Sequence, residues 1–283
     1  MNEKEISEIK SILKLLDDDD STVFTIARNR LLEIGEPALP YLDVEIQEEN
    51  PQLKERLDEI VTSIAAVLVK EQLLTLKKQS GEDIDLEEAA FIIARYGEPT
   101  ANMEKYKKEL QLYSEELSSR LDLSKEPEEI ISTINDFFIQ EKNFRGNTEN
   151  YYNVENQYLH KVIENKKGNP LALCLIYIIV CKKLHLPIFG IGLPGRFIIK
   201  FVFGEKEFFI DPFNNGNILS KQECKKYVEN FGHTFQEHHL NPVTNVMMIE
   251  RMLRNLLVAF EKSGDTTHKE HLLEYVDILT ARM

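Results

Sequence analysis

The stretch "KGNPLALCLIYIIVCKKLHLPIFGIGLPGRFIIKF", residues 167–201, decides the fold of the second half of the chain. Gly168, Asn169 and Pro170 form a helix start: Asn169 is a good N-cap, Pro170 suits the first helical position and Gly168 permits a sharp approach. Behind them runs an apolar helix from about 169 to 184, and then short β runs at 187–193, 196–203 and 206–213, the last two joined by the tight turn Gly204, Glu205. A helix packed on a small antiparallel sheet is the expected core.

The amino end of such a helix acidifies a thiol placed there, which is how some acyl-transfer enzymes prepare a nucleophile. Here the first turn holds Pro170, Leu171 and Ala172, none of them nucleophilic. Cys174 lies one turn further in, and Cys181 shares its face; in so apolar a helix both read as buried packing residues with raised thiol pKa. The other reading makes Cys174 an unconventional nucleophile. A thiolate also needs a base, most often histidine, oriented by a carboxylate. The strand after the glycine turn begins instead with Arg196, and the next ends in Asp211 and Pro212. A guanidinium stays protonated, so Arg196 is no base; the spacing predicts a bidentate ion pair between Arg196 and Asp211. Tyr151, Tyr152, Asn156 and Tyr158, folded over a mouth formed by Asn169, Arg196 and Asp211, would give an aromatic-walled cleft for a ligand or peptide. The alternative is that these tyrosines pack a domain junction. "GHTFQEHH" brings His233, His238 and His239 near Glu237, but adjacent His238 and His239 are expected to point apart, so no metal site and no cofactor is expected.

From 1 to about 140 apolar residues recur every three or four positions, which predicts helix after helix. Ser21 or Asp20 caps a helix carrying Val23, Ile26, Ala27, Arg30, Leu31 and Ile34; Gly35 supplies a left-handed stop and Pro37 opens the next turn. A second helix carries Leu39, Leu42, Val44 and Ile46, and the pair reads equally as a HEAT-like unit or an ordinary hairpin. Further helices are predicted near 50–78, 84–96, 101–121 and 126–141. The acidic runs Asp17 to Asp20 and Glu87 with Glu88 sit at helix starts, where carboxylates favour the exposed amides. "KNFRGNTENYYNVENQY", residues 142–158, breaks the pattern, and a helix at about 154–165 comes next. From about 242, two helices turn around Gly264 and Asp265 as a tetratricopeptide-like hairpin. The expected domains are therefore a helical one over 1–141, an α+β one over 142–241 and a helical hairpin over 242–283.

With 34 basic against 48 acidic residues, the formal charge of −14 repels phosphate backbones and anionic membrane surfaces, so neither nucleic acid nor membrane is an expected partner. The longest apolar run, residues 171–181, is well short of the roughly 20 residues that span a bilayer. The polar start "MNEKEISEIK" lacks a secretory pattern, which points to the cytoplasm. The cysteines Cys174, Cys181 and Cys224 form no disulfide framework and no CxxC pair.

Across these motifs the chain resembles the SirB-type transglutaminase-like proteins of bacteria. The resemblance runs from "DIDLEEAAFIIARYGEP" (83–99), through "NYYNVENQYLHKVIENKKGNPLALCLIYIIVCKKLHLPIFGIGLPGRFIIKF" (150–201) and "FFIDPFNNGNILSKQEC" (208–224), to "RMLRNLLVAFEKSGD" (251–265). It implies a mostly helical α+β fold with a degraded transglutaminase-like, papain-like core. The family's usual residue at Arg196 is histidine, within "GLPGHF", whereas Asp211 matches its aspartate. The thiol of true transglutaminases falls near Pro170 or Leu171. The function expected on these grounds is non-catalytic binding of a peptide, protein or small molecule through Tyr151, Tyr152, Asn156, Asn169, Arg196 and Asp211. The alternative is a papain-type hydrolase or acyltransferase using Cys174.

Overall fold

In the computed structural model, which describes residues 3–45, 50–265 and 267–281, the first half is helical throughout. Its elements are α1 (Glu3–Leu13), α2 (Ser21–Ile34), α3 (Leu39–Glu45), α4 (Pro51–Gln79) and α5 (Leu86–Gly97). Asp20, not Ser21, caps α2, its carboxylate accepting the Thr22 amide at 2.8 Å. Gly35 ends α2 at φ 69° and ψ −138°, a glycine-favouring conformation outside the left-handed helical region expected of it. Ala27, Leu31, Leu39, Leu42 and Leu57 close one apolar core. Ile26, assigned to the same face by its spacing, is 64% exposed, because α1 and the 3-10 turn over Glu36–Ala38 pack on the other side of α2, the stripe through Ala27 and Leu31. Ile46 lies outside the described residues.

The chain divides into two units, residues 1–75 with 92–102 and residues 76–91 with 103–283. The helices at 103–141 thus fall in the same unit as the sheet, whereas the sequence-based boundary lay at 141/142. That second unit contains α6 (Met103–Ser118), α7 (Pro127–Asn135) continuing as a π-helical turn (Asp136–Glu141), β1 (Arg145–Gly146), α8 (Leu159–Asn165), β2 (Lys167–Gly168) and α9 (Pro170–Lys183). Next come β3 (Ile188–Leu193), β4 (Arg196–Phe203), β5 (Lys206–Asp211), β6 (Asn217–Leu219), α10 (Lys221–Asn230), α11 (Asn245–Ser263) and α12 (Lys269–Thr280). The fold is α+β and mostly helical. No helix among the described residues is long and apolar enough to cross a membrane.

Every residue of α9 from Pro170 to Cys181 is buried, as a helix apolar all round requires. It packs on the antiparallel sheet β3-β4-β5-β6. The other side of that sheet meets α10, where Ile191, Ile198, Phe209, Cys224 and Val228 form a second apolar layer. Coverage on both faces explains why β4 is buried continuously from Phe197 to Phe201 instead of alternating. The expected helix over 154–165 is broken: a 3-10 turn (Val154–Asn156) precedes extended Tyr158, and α8 begins only at Leu159. Asn153 caps the short turn by accepting the Glu155 amide, which closes it off locally.

Candidate functional site

The start of α9 is built as its sequence demands. The Asn169 side-chain oxygen accepts the Ala172 amide at 2.7 Å, and its side-chain amide donates to the Gln157 oxygen. Next to it, β3 and β4 close in a two-residue turn, Pro194 and Gly195, with Gly195 at φ 66°. That turn sets Arg196 at the head of β4, from which its guanidinium reaches the end of β5. Nε and Nη2 of Arg196 lie 3.0 Å and 2.5 Å from Asp211, but both donate to the same oxygen, Oδ2. The pair is therefore a fork on one oxygen, in place of the two parallel bonds expected; Oδ1 is used by the Asn214 amide at 3.3 Å. Asp211 is fully buried. The guanidinium is held between the rings of Phe213 and Tyr227, 5.3 Å and 5.2 Å from their centroids.

A cleft of about 260 Å³ opens beside this pair. Leu171 and Phe197, both nearly inaccessible, form its base, and the exposed Tyr152, Phe231 and Val258 form its rim. Tyr151, Tyr152, Asn169 and Arg196 line it, as the sequence suggested. Asn156 and Asp211 do not. Asp211 sits behind Arg196 with no accessible surface, because a carboxylate with that many donors is folded inward. Asn156 holds the preceding loop: its amide donates to the carbonyls of Asn150 (2.6 Å) and Tyr151 (3.2 Å), and its oxygen accepts from Asn147 (2.9 Å). Tyr158 is likewise buried, its ring against His160, and does not reach the mouth. Asn156→Ala, which removes three bonds from a buried position, is expected to lower stability by roughly 2 kcal/mol. It should also open the 147–153 loop to protease, which urea unfolding and limited proteolysis would register together.

Spacing alone did not identify the contribution of α11. Arg251, Asn255 and Val258, at i, i+4 and i+7, present one face of that helix to the cleft. Arg251 donates to the carbonyls of Leu193 (3.0 Å) and Arg196 (2.9 Å), gripping the β3–β4 turn, and its burial pulls its pKa down. Gln157 and Phe231 complete the lining. A methyl group on Gly195 would lie 1.8 Å from the Phe231 ring, so this glycine is what lets the ring lie over the turn.

Cys174 is buried under the cleft, its thiol 3.6 Å from the Phe197 carbonyl. Burial first, and then the nearby Asp211 charge, push its pKa well up. His238 and His239 do not point apart: their rings stack at 4.4 Å, since both belong to a short 3-10 turn over Glu237–Leu240.

The profile of the transglutaminase-like superfamily matches residues 104–254, and the chain belongs to that superfamily. Among its relatives is a UPF0162 protein of Xylella fastidiosa (strain 9a5c), 31% identical over 198 residues that make up 66% of this chain and 70% of the relative. A UPF0162 protein of Vibrio cholerae is 30% identical over 41% of this chain and 44% of its own length. F-box only protein 21 of Homo sapiens is 25% identical over 54% of this chain but only 25% of its own length. No solved structure matches the chain at a significant level.

Proposed function

We propose that the chain is a non-catalytic, SirB-type member of the superfamily, a pseudoenzyme that binds a peptide, protein or small ligand in the remnant cleft. In this reading α11 and α12 serve as a tetratricopeptide-like hairpin, and the protein works in the cytoplasm away from nucleic acid and membranes. The observation that supports it most is chemical: the cleft is lined by aromatic, amide and guanidinium groups, with no thiol, imidazole or carboxylate among its lining residues. The residues proposed to touch the ligand are Tyr151, Tyr152, Asn169 and Arg196, with Asn156 and Asp211 holding them in place.

Two measurements test this. Iodoacetamide at pH 7.5 is expected to leave the native protein unmodified and to label all three cysteines in urea, since each is buried. Fast, selective modification of Cys174 in the native state would instead favour the papain-type hydrolase or acyltransferase. Binding to an array of short peptides should be weakened by Tyr152→Ala, a change at an exposed rim position. An array pattern unchanged by that substitution and by Arg196→Lys would move binding away from the cleft.

A further inference from the structure

Two arginines enter the cleft and, among the described residues, no acidic side chain lines it, in a chain whose formal charge is −14. Arg196 is neutralised by Asp211. Arg251 is not neutralised. Its protein acceptors are two backbone carbonyls, at 3.0 Å and 2.9 Å, and no carboxylate among the described residues pairs with it. A guanidinium has five N–H donors in a rigid fork, so roughly three of them are left without a protein acceptor. This half-buried cation is held by two carbonyls and by the Phe197 ring, 5.5 Å from its centroid, and its remaining N–H groups are left for an anion entering the cleft to complete. Around it the cleft is apolar and aromatic, through Leu171, Phe197, Tyr151 and Tyr152. At 3.0 Å from the turn carbonyl, Arg251 is also fixed in place, which limits the ordering a ligand must impose.

We propose that the cleft binds a carboxylate carried on a short apolar group, with Arg251 as its main partner and the free edge of Arg196 beside it. Planar, forked recognition suits a carboxylate, and the small volume, about 260 Å³, suits a chain end or one acidic side chain, not a folded surface. The inference rests on the cleft-binding reading and deepens it. Arg251 and Asn255, one helical turn apart on α11, are then the residues that choose the ligand, and Tyr151 and Tyr152 pack its apolar part.

Calorimetric titration of the full chain with three probes tests it: N-acetyl-Leu-Phe with a free carboxylate, the same dipeptide as its amide, and N-acetyl-Leu-Glu-amide. At least one acid is expected to bind about tenfold or more tightly than the amide, as a charge-assisted bond to a partly buried guanidinium requires. The stronger of the two acids tells whether the carboxylate is a chain end or a side chain. Arg251→Lys, which keeps the charge and one bond to the turn, should lose most of the preference while remaining folded by circular dichroism. Acids and amide binding equally would overturn the carboxylate and leave the cleft reading standing. Inorganic phosphate displacing the acids at equal concentration would overturn it in favour of a tetrahedral anion. If no probe binds while the peptide array still responds to Tyr152→Ala, the carboxylate proposal alone falls; if both fail, the cleft reading falls with it.

Discussion

Arg196→Met is expected to destabilise the protein by about 3 kcal/mol, the lower end of the 3–5 kcal/mol typical of removing one partner from a buried ion pair. The reason is Asp211. Its carboxylate has no accessible surface, and without the guanidinium it retains, among the described residues, only the Asn214 amide groups as donors, at 3.3 Å and 3.1 Å. Arg196 is itself 16% exposed at its side chain, so some screening reaches the pair, which is why the lower end applies. Methionine fills much of the space between Phe213 and Tyr227, so lost packing is a minor part of the change. A double variant, Arg196→Met with Asp211→Asn, should recover much of the loss, because the neutral amide still accepts from Asn214 and leaves no buried charge. Asp211→Asn alone strands a cation that can reach solvent and is expected to cost less than Arg196→Met. Urea unfolding of the three variants closes the cycle. Additive losses, or a loss below 1 kcal/mol for Arg196→Met, would mean that the pair is solvated and does not organise the site.

The parts of the fold that sequence reading found share a physical cause: a local signal strong enough to outweigh its surroundings. Asn169 and Pro170 before an unbroken apolar run define α9 without help from the rest of the chain. The hairpin turns at Gly195 and Gly204 both need positive φ, which glycine announces. By contrast α10, "KQECKKYVEN", buries only Cys224 and Val228, so its apolar stripe is too thin to show a period. Its sequence signal was the capping box of Ser220 and Glu223, which is present in the structure. Strand β6 is a three-residue edge whose first two residues are exposed, and no pattern of three can be told from a loop.

The site was legible to the extent that its geometry is set by strand pairing. Ile199 faces Ile210 in the β4–β5 register, and this alone carries Arg196 and Asp211 to neighbouring positions. Which oxygens the guanidinium takes depends on side-chain torsions that no spacing encodes. Asn156 was misplaced for a related reason: asparagine serves equally well at a ligand or under a loop, and only the carbonyls of Asn150 and Tyr151 reveal which. Arg251 bonds a carbonyl 55 residues away in sequence. On an amphipathic helix such an arginine reads as solvent-facing, and only tertiary packing turns it inward.

The three buried thiols give the second large effect, which emerges in alkali. Burial pushes Cys174 and Cys181 well above their ordinary value of 9.0 and pushes Cys224 up to about 12. A group whose folded pKa is raised contributes stability that is complete below its unfolded pKa and is lost as pH climbs towards the folded value. The unfolded chain releases these protons from about pH 9, while the native state holds them. Each thiol then removes roughly 1.4 kcal/mol per pH unit, so the three together should cost about 4 kcal/mol by pH 10, a large part of a typical 5–15 kcal/mol. Urea unfolding between pH 8 and 10 under a phosphine reductant measures it. Lysine and tyrosine titration begins in the same window, so the decisive comparison is with Cys174→Ala/Cys181→Ala, whose slope should be about a third as steep from the thiols. The sign matters more than the size. A cysteine poised as a nucleophile has a depressed pKa and would make the protein more stable on going from pH 7 to 9, so a rise there that vanishes with Cys174→Ala would return the thiol to the centre of the chemistry.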